Sequence, residues 1–168
     1  MIGQIVGSRY KILRKLGAGG MAIVYLALDE ETGKELALKV MSPQVAVTPE
    51  SVKRFIREFE VCSRLNHENI ISLFDNGQLE DGNHFYTMDY LPFPSLDDIL
   101  EKEKSIGPHR TKKMMLQVAS AMSCYHKEGI IHRDLKPANI VVAESDRFIV
   151  VDFGLVTDEN LTALTRTG

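Results

Sequence analysis

The run His132-Arg133-Asp134-Leu135-Lys136-Pro137-Ala138-Asn139 sets a carboxylate, an ammonium and an amide at fixed offsets, and Asp152-Phe153-Gly154 follows thirteen residues after Asn139. Each group has a chemistry of its own. The Asp134 carboxylate can accept a proton from a hydroxyl, and the Lys136 ammonium can hold a phosphoryl group in transfer. The side-chain oxygens of Asn139 and Asp152 are hard donors of the kind magnesium takes. These groups are useful only if a scaffold brings them to one place.

The chain has 168 residues, enough for one domain with a real core and too few for two full ones. Hydrophobic residues make up 44% and charged residues 26%, ordinary for a water-exposed globular protein. A net charge of −3 gives no basic excess and argues against nucleic acid as a partner. No apolar stretch is long enough to cross a bilayer, so this chain is expected to hold no membrane segment. The start, Met1-Ile2-Gly3-Gln4-Ile5-Val6-Gly7, lacks a charged leader and a long apolar segment, so no secretory signal is expected. Cys62 and Cys124 stand apart in apolar-periodic stretches, which predicts buried free thiols and fits a reducing cytoplasm.

Short alternating runs predict antiparallel strands at residues 10–16, 23–28 and 35–40, with a turn at Glu30-Glu31-Thr32-Gly33. Thr48-Pro49-Glu50 is a helix start, with Thr48 as cap and Pro49 at the first helical position. Val52, Phe55, Ile56, Phe59, Cys62 and Leu65 then keep helical spacing until residues 66–69 break it. Strands are predicted at 70–75 and 84–90. After Pro92-Phe93-Pro94 the pattern turns helical, at 95–102 and at 108–128, with Met115, Val118, Met122 and Tyr125 on one face of the longer helix. The strand-rich half is thus assigned to residues 1–91 and the helix-rich half to 92–168, with a hinge near the prolines.

The eight-residue run and the Asp-Phe-Gly triplet resemble the catalytic loop and metal-binding motif of eukaryotic-like (Hanks-type) bacterial serine/threonine protein kinases. The resemblance runs from about Tyr10 to Gly168. It implies an α+β, bilobal protein kinase-like fold: a five-stranded antiparallel N-lobe sheet with one long helix, and an incomplete, mainly helical C-lobe. It implies transfer of the γ-phosphate of ATP to serine or threonine hydroxyls of proteins. In this family's terms Asp134 orients the hydroxyl and takes its proton, and Lys136 offsets charge on the phosphoryl group. Asn139 and Asp152 hold Mg2+. Lysine at 136 matches the serine/threonine-specific branch, and His132 reads as a packing residue.

Leu16-Gly17-Ala18-Gly19-Gly20-Met21-Ala22-Ile23-Val24 is similar to the family's glycine-rich loop over the nucleotide phosphates, with Ala22 where a third glycine usually stands. Taken alone, a glycine cluster is more often a plain hairpin turn than a phosphate loop. A Rossmann loop is excluded because a strand pattern follows, and a Walker loop because no Gly-Lys-Ser/Thr follows. Lys39, within Leu36-Ala37-Leu38-Lys39, stands where the family's phosphate-gripping lysine belongs, although a lone strand lysine is usually a solvated charge. Glu58 is favoured over Glu60 as its ion-pair partner. Tyr86-Thr87-Met88-Asp89-Tyr90-Leu91 is similar to the hinge strand. Met88 takes the gatekeeper place, Asp89 and Leu91 offer backbone groups to adenine, and Leu16, Val24, Ala37, Val141 and Val151 sandwich the ring, or else serve only as core. Pro92-Phe93-Pro94 replaces the relatives' glycine-containing linker and predicts a stiffer hinge.

Arg133 before Asp134 implies control by a phosphate on the activation loop, with Thr165 and Thr167 as the modified residues and Thr162 behind them. Self-association for autophosphorylation follows from that reading. The sequence stops inside the activation loop, and a full domain of this family runs on for about a hundred residues more. A fragment of a longer signalling kinase with a cytoplasmic catalytic domain is therefore expected; many relatives of this family carry a membrane anchor elsewhere, and full-length forms with and without one both stay open. The long helix then exposes a face that is normally covered. Two rivals stand beside this reading. One is a truncated or pseudokinase-type module that binds nucleotide or a partner without turnover; the other is a small-molecule phosphotransferase sharing the lobes.

Overall fold

Alternating apolar residues in the first half build a single antiparallel sheet. Its strands are β1 (Ile5–Val6), β2 (Tyr10–Ala18), β3 (Ala22–Asp29), β4 (Glu35–Met41), β5 (Leu73–Gln78) and β6 (His84–Asp89), ordered β1-β2-β3-β4-β6-β5. This computed structural model describes residues 1–20, 22–44 and 46–151, and the backbone alone at 157–158. The five anticipated strands are all present, and β1 adds a sixth, too short at two residues for its pattern to register in the sequence. The chain divides into two units: Met1–Arg64 with Ser72–Tyr90, and Leu65–Ile71 with Leu91–Gly168.

In the first unit the two-residue alternation separates the faces of the sheet. One face carries a core of Val6, Tyr10, Ile12, Tyr25, Ala27, Leu36, Leu38, Val40 and Phe85. The opposite face presents Val24, Ala37, Lys39, Tyr86 and Met88, brought level by the pairs Val24↔Lys39, Ala37↔Met88 and Lys39↔Tyr86. Strand β4 lies between β3 and β6, so both of its edges are hydrogen-bonded, and only Glu35 at its start is exposed. Register shifts between Ile12 and Arg14 and between Lys15 and Gly17 bend β2 as it approaches the glycines.

Helix α1 (Pro49–Cys62) starts as its sequence dictates: the Thr48 hydroxyl accepts from Ser51 N–H, and Pro49 sits in the first turn. It ends at Cys62, before Leu65, because the backbone beyond Arg64 joins the second unit. The same departure corrects the strand expected at 70–75. Ile70 bridges to Val150, and Ile71 N–H donates to Val150 O, so the sheet strand begins only at Leu73.

The second unit joins α2 (Leu96–Glu103), α3 (Gly107–Lys127), β7 (Ile130–Ile131) and the hairpin β8 (Ile140–Ala143) and β9 (Arg147–Val150). Strand β10 (Thr157–Asp158) pairs antiparallel with β7. Ser95 and Asp98 form a reciprocal capping box that starts α2. Leu96, Ile99, Val118, Ile140, Val142 and Phe148 form the core, with Met114 and Met122 packed against it. The buried stripe of α3 is Val118, Ala121 and Tyr125, and Met115 is exposed instead of sharing it. At ~100° per residue Met114 lies about 20° around the helix from Tyr125, and Met115 about 80°. Asn69, almost wholly buried, donates to Gln117 Oε1 and Phe148 O, which fastens residues 65–71 to α3 and β9. Cys62 is buried as expected, whereas Cys124 is only half-buried; both are free thiols.

Candidate active site

Lys39 and Glu58 come from distant parts of the sequence and meet in the first unit. Lys39 Nζ lies 2.9 Å from Glu58 Oε1, with the two side chains 13% and 14% exposed. Glu60, two residues on, is exposed, so of the two glutamates weighed above it is Glu58 that pairs with the lysine. The Tyr86 hydroxyl donates to the same Glu58 oxygen at 2.6 Å, and Lys39 Nζ stands 5.4 Å from the Tyr86 ring centroid. Tyr86 had no role in the sequence reading. Period-two alternation was the available signal, since Tyr86 shares a sheet face with Met88.

On the same sheet face Ala37 and Met88 are buried and Val24 is half-buried; Leu16, on β2, is half-buried as well. The glycine-rich stretch is the turn of the β2–β3 hairpin, closed by Gly19 N–H donating to Ala22 O at 2.9 Å. A Cβ at Gly17 or Gly20 would meet no atom within 4 Å, so open space surrounds this backbone. Asp89 ends β6, its N–H donating to Ser72 O.

The second unit holds the loop between β7 and β8. His132 is 3% exposed and packs edge-on against Tyr125, ring centroids 5.8 Å apart, in keeping with a packing part. Asp134 N–H is shared between His132 O at 2.9 Å and His132 Nδ1 at 3.3 Å. Arg133 bends the chain there with φ of 61°, the left-handed region. One 3₁₀ turn, Pro137–Asn139, then returns Asn139 to Asp134.

Three groups converge as a result. Lys136 Nζ donates to Asp134 Oδ2 at 2.8 Å, and Asn139 Nδ2 donates to Asp134 O at 2.9 Å and Oδ2 at 3.1 Å. Hydrogen bonding from Lys136 holds the Asp134 carboxyl below the ordinary carboxylate range, with Asn139 adding to the effect against partial desolvation. The carboxylate is therefore charged at neutral pH and ready to accept. The Asn139 amide nitrogen is the atom that faces Asp134, which turns the amide oxygen, a hard donor suited to magnesium, away from that carboxylate. Val151 N–H donates to Asn139 O at 3.1 Å, tying the end of β9 to the loop, and both Val151 and Val141 are half-buried. Leu91 is half-buried as well. Met21, Asp152, Thr162, Thr165 and Thr167 lie outside the described residues.

Comparison with known proteins gives a consistent picture. The protein kinase domain family matches residues 10–167. Serine/threonine-protein kinase PrkC of Bacillus subtilis is 36% identical over 99% of this chain, which covers 26% of that protein. Serine/threonine-protein kinase pkn3 of Myxococcus xanthus is 39% identical over 99% of this chain, which covers 32% of it. The chain therefore spans about a quarter to a third of the length of these relatives. Among solved structures, the PknI kinase domain of Mycobacterium tuberculosis has a TM-score of 0.78 at 33% identity, covering 92% of this chain and 62% of that one.

Proposed function

The chain belongs to the protein kinase domain family, and from that premise we propose that it is part of a serine/threonine protein kinase. It transfers the γ-phosphate of ATP to protein hydroxyls with a divalent metal, magnesium. Residues 1–64 and 72–90 serve as the N-lobe, and residues 65–71 and 91–168 as part of the C-lobe. The observation that carries this reading is the cluster on one loop, where Lys136 and Asn139 both reach the Asp134 carboxylate.

Each residue has a distinct task. Lys39, steadied by Glu58, grips the α- and β-phosphates, a matter of position and not of proton transfer. The turn at Gly17–Gly20 offers backbone N–H groups to the phosphates, and Ala37, Val24 and Met88 provide apolar surface for adenine. Asp134 orients the substrate hydroxyl and takes its proton, while Lys136 offsets charge on the phosphoryl oxygens. Asn139 and Asp152 hold the magnesium, whose charge neutralises the phosphates. Arg133, on a strained and exposed turn, receives the phosphate of Thr165 or Thr167.

The test compares the full-length gene product with the 168-residue chain for radiolabel transfer from ATP to a protein substrate, each beside Asp134→Asn. Transfer by the long form that disappears with Asp134→Asn supports the kinase reading. Nucleotide binding without transfer in either form replaces it with a binding module. A phosphopeptide map of active protein with Thr165 and Thr167 both unmodified removes the activation-loop part alone.

A further inference from the structure

We propose that Tyr86 is a positioning residue for the Lys39–Glu58 pair, its hydroxyl holding the Glu58 carboxylate against the lysine. The proposal deepens the phosphate-grip reading given above and rests on it.

Glu58 Oε1 receives two hydrogen bonds from the sheet, Lys39 Nζ at 2.9 Å and the Tyr86 hydroxyl at 2.6 Å. The register explains why both donors reach one oxygen. Lys39 and Tyr86 are directly opposed in the β4–β6 ladder, so their side chains rise from the same face. Lys39 crosses the Tyr86 ring with Nζ 5.4 Å from its centroid, and the phenol passes beneath to the same carboxylate. The ring itself is gripped by the helix that carries Glu58. Phe55 lies 5.0 Å from it and Phe59 6.0 Å, centroid to centroid, each tilted by about 35°.

Tyr86 is 1% exposed, and burial pushes its hydroxyl well above the usual phenol range, so it stays protonated and donates. A buried ring used only for packing needs no hydroxyl, and phenylalanine would fill the space without a polar atom to satisfy. Here the polar atom goes to the one carboxylate oxygen that also holds Lys39. Helix α1 packs Phe55 and Phe59 against the Tyr86 ring, and the hydrogen bond from the phenol to Glu58 adds a directional, charge-assisted tie to these apolar contacts. Removing the hydroxyl leaves Glu58 one donor short and able to swing from Lys39.

The experiment uses the full-length protein and reads Lys39 directly. Acylation by a neutral amine-reactive ester, quantified by peptide mass spectrometry, is slow while the amine is engaged by the Glu58 carboxylate. Tyr86→Phe is expected to raise the Lys39 acylation rate about tenfold, the scale of one hydrogen bond to a charged group. In a Glu58→Gln background the same substitution is expected to add nothing, because the two act through one contact. MgADP affinity falls in parallel. Wild-type acylation in Tyr86→Phe, or an equal increment in both backgrounds, overturns the proposal, the second outcome assigning Tyr86 to packing alone. If Tyr86→Phe fails to fold, Tyr86→Met removes the hydroxyl with an adaptable side chain and is read in the same way. Failure of the wild type to bind MgADP instead overturns the phosphate-grip reading, while the acylation cycle still decides the coupling.

Discussion

Lys39 Nζ on β4 and Glu58 Oε1 on α1 are 2.9 Å apart, and little of either side chain reaches solvent. A pair this enclosed differs from a surface ion pair, because removing one member strands the other charge in a poor solvent. Lys39→Met is expected to lower phosphotransfer by about 10²–10³-fold, the scale of losing one preorganised charge-stabilising donor. Glu60→Gln, on an exposed neighbour, is expected to leave both activity and melting temperature unchanged. Steady-state rates for the two variants decide the assignment, and a Glu60→Gln loss equal to that of Lys39→Met contradicts it.

Asp134 is held ionised chiefly by Lys136, so protonation of its carboxylate sets in only below the ordinary value of 3.8. As the proton acceptor it should give a rate with no Asp134-dependent acid limb between about pH 5 and 7. Asp134→Asn keeps the shape but cannot accept a proton, and a loss of about 10²–10⁴ in kcat is expected. Lys136→Met removes the main cause of the lowered value, so its acid limb should move toward higher pH. A pH profile of kcat/KM for the three proteins checks this, and an unshifted limb in Lys136→Met argues against the assignment.

Asp29 offers a stability test away from the site. Its buried carboxylate accepts from Arg9 Nε at 2.8 Å, Arg9 Nη2 at 2.7 Å, the Thr32 hydroxyl at 2.7 Å and Glu31 N–H at 3.1 Å. The Arg9 bonds, foremost among these, hold its carboxyl far below the ordinary 3.8. A group lowered on folding stabilises the native state above its unfolded value and loses that contribution as the pH falls below it. The wild type should therefore lose melting temperature between about pH 5 and 2 more steeply than Asp29→Asn, which starts lower at neutral pH. Parallel slopes in thermal melts across that range refute the prediction.

The loop chemistry was legible because 132–139 is one local run, with every offset printed in the sequence. The Thr48 cap, the Pro49 start and the turn at Gly33 were readable for the same reason. Long-range pairing was not. Ile70 and Ile71 look like the start of a strand, yet they are used by β9, because Asn69 anchors that stretch to Gln117 and Phe148. Met115 matched a helical stripe by spacing, but three- and four-residue steps fit two adjacent stripes, and only the position of the β8–β9 hairpin selects Met114. Tyr86 escaped notice because the register of β4 against β6, which places it opposite Lys39, is a property of two strands and not of one.

The β5–β6 pairing provides a final test of the first unit. Gly77 lies opposite Phe85 in that ladder, and a Cβ at residue 77 would stand 2.9 Å from both Cε1 and Cζ of the Phe85 ring. The ring has little room to retreat: it is 3% exposed, meets Tyr10 edge-on at 6.2 Å, and lies close to the backbone at Gly7. Gly77→Ala should therefore overpack this core and cost about 1–3 kcal/mol. A glycine surrounded by open space provides the control, since Gly17→Ala meets no atom within 4 Å and is expected to stay within ~0.5 kcal/mol of wild type. Urea titrations of the two variants measure the difference. Equal midpoints would show that Phe85 yields freely, and that the sheet core is looser than its packing indicates.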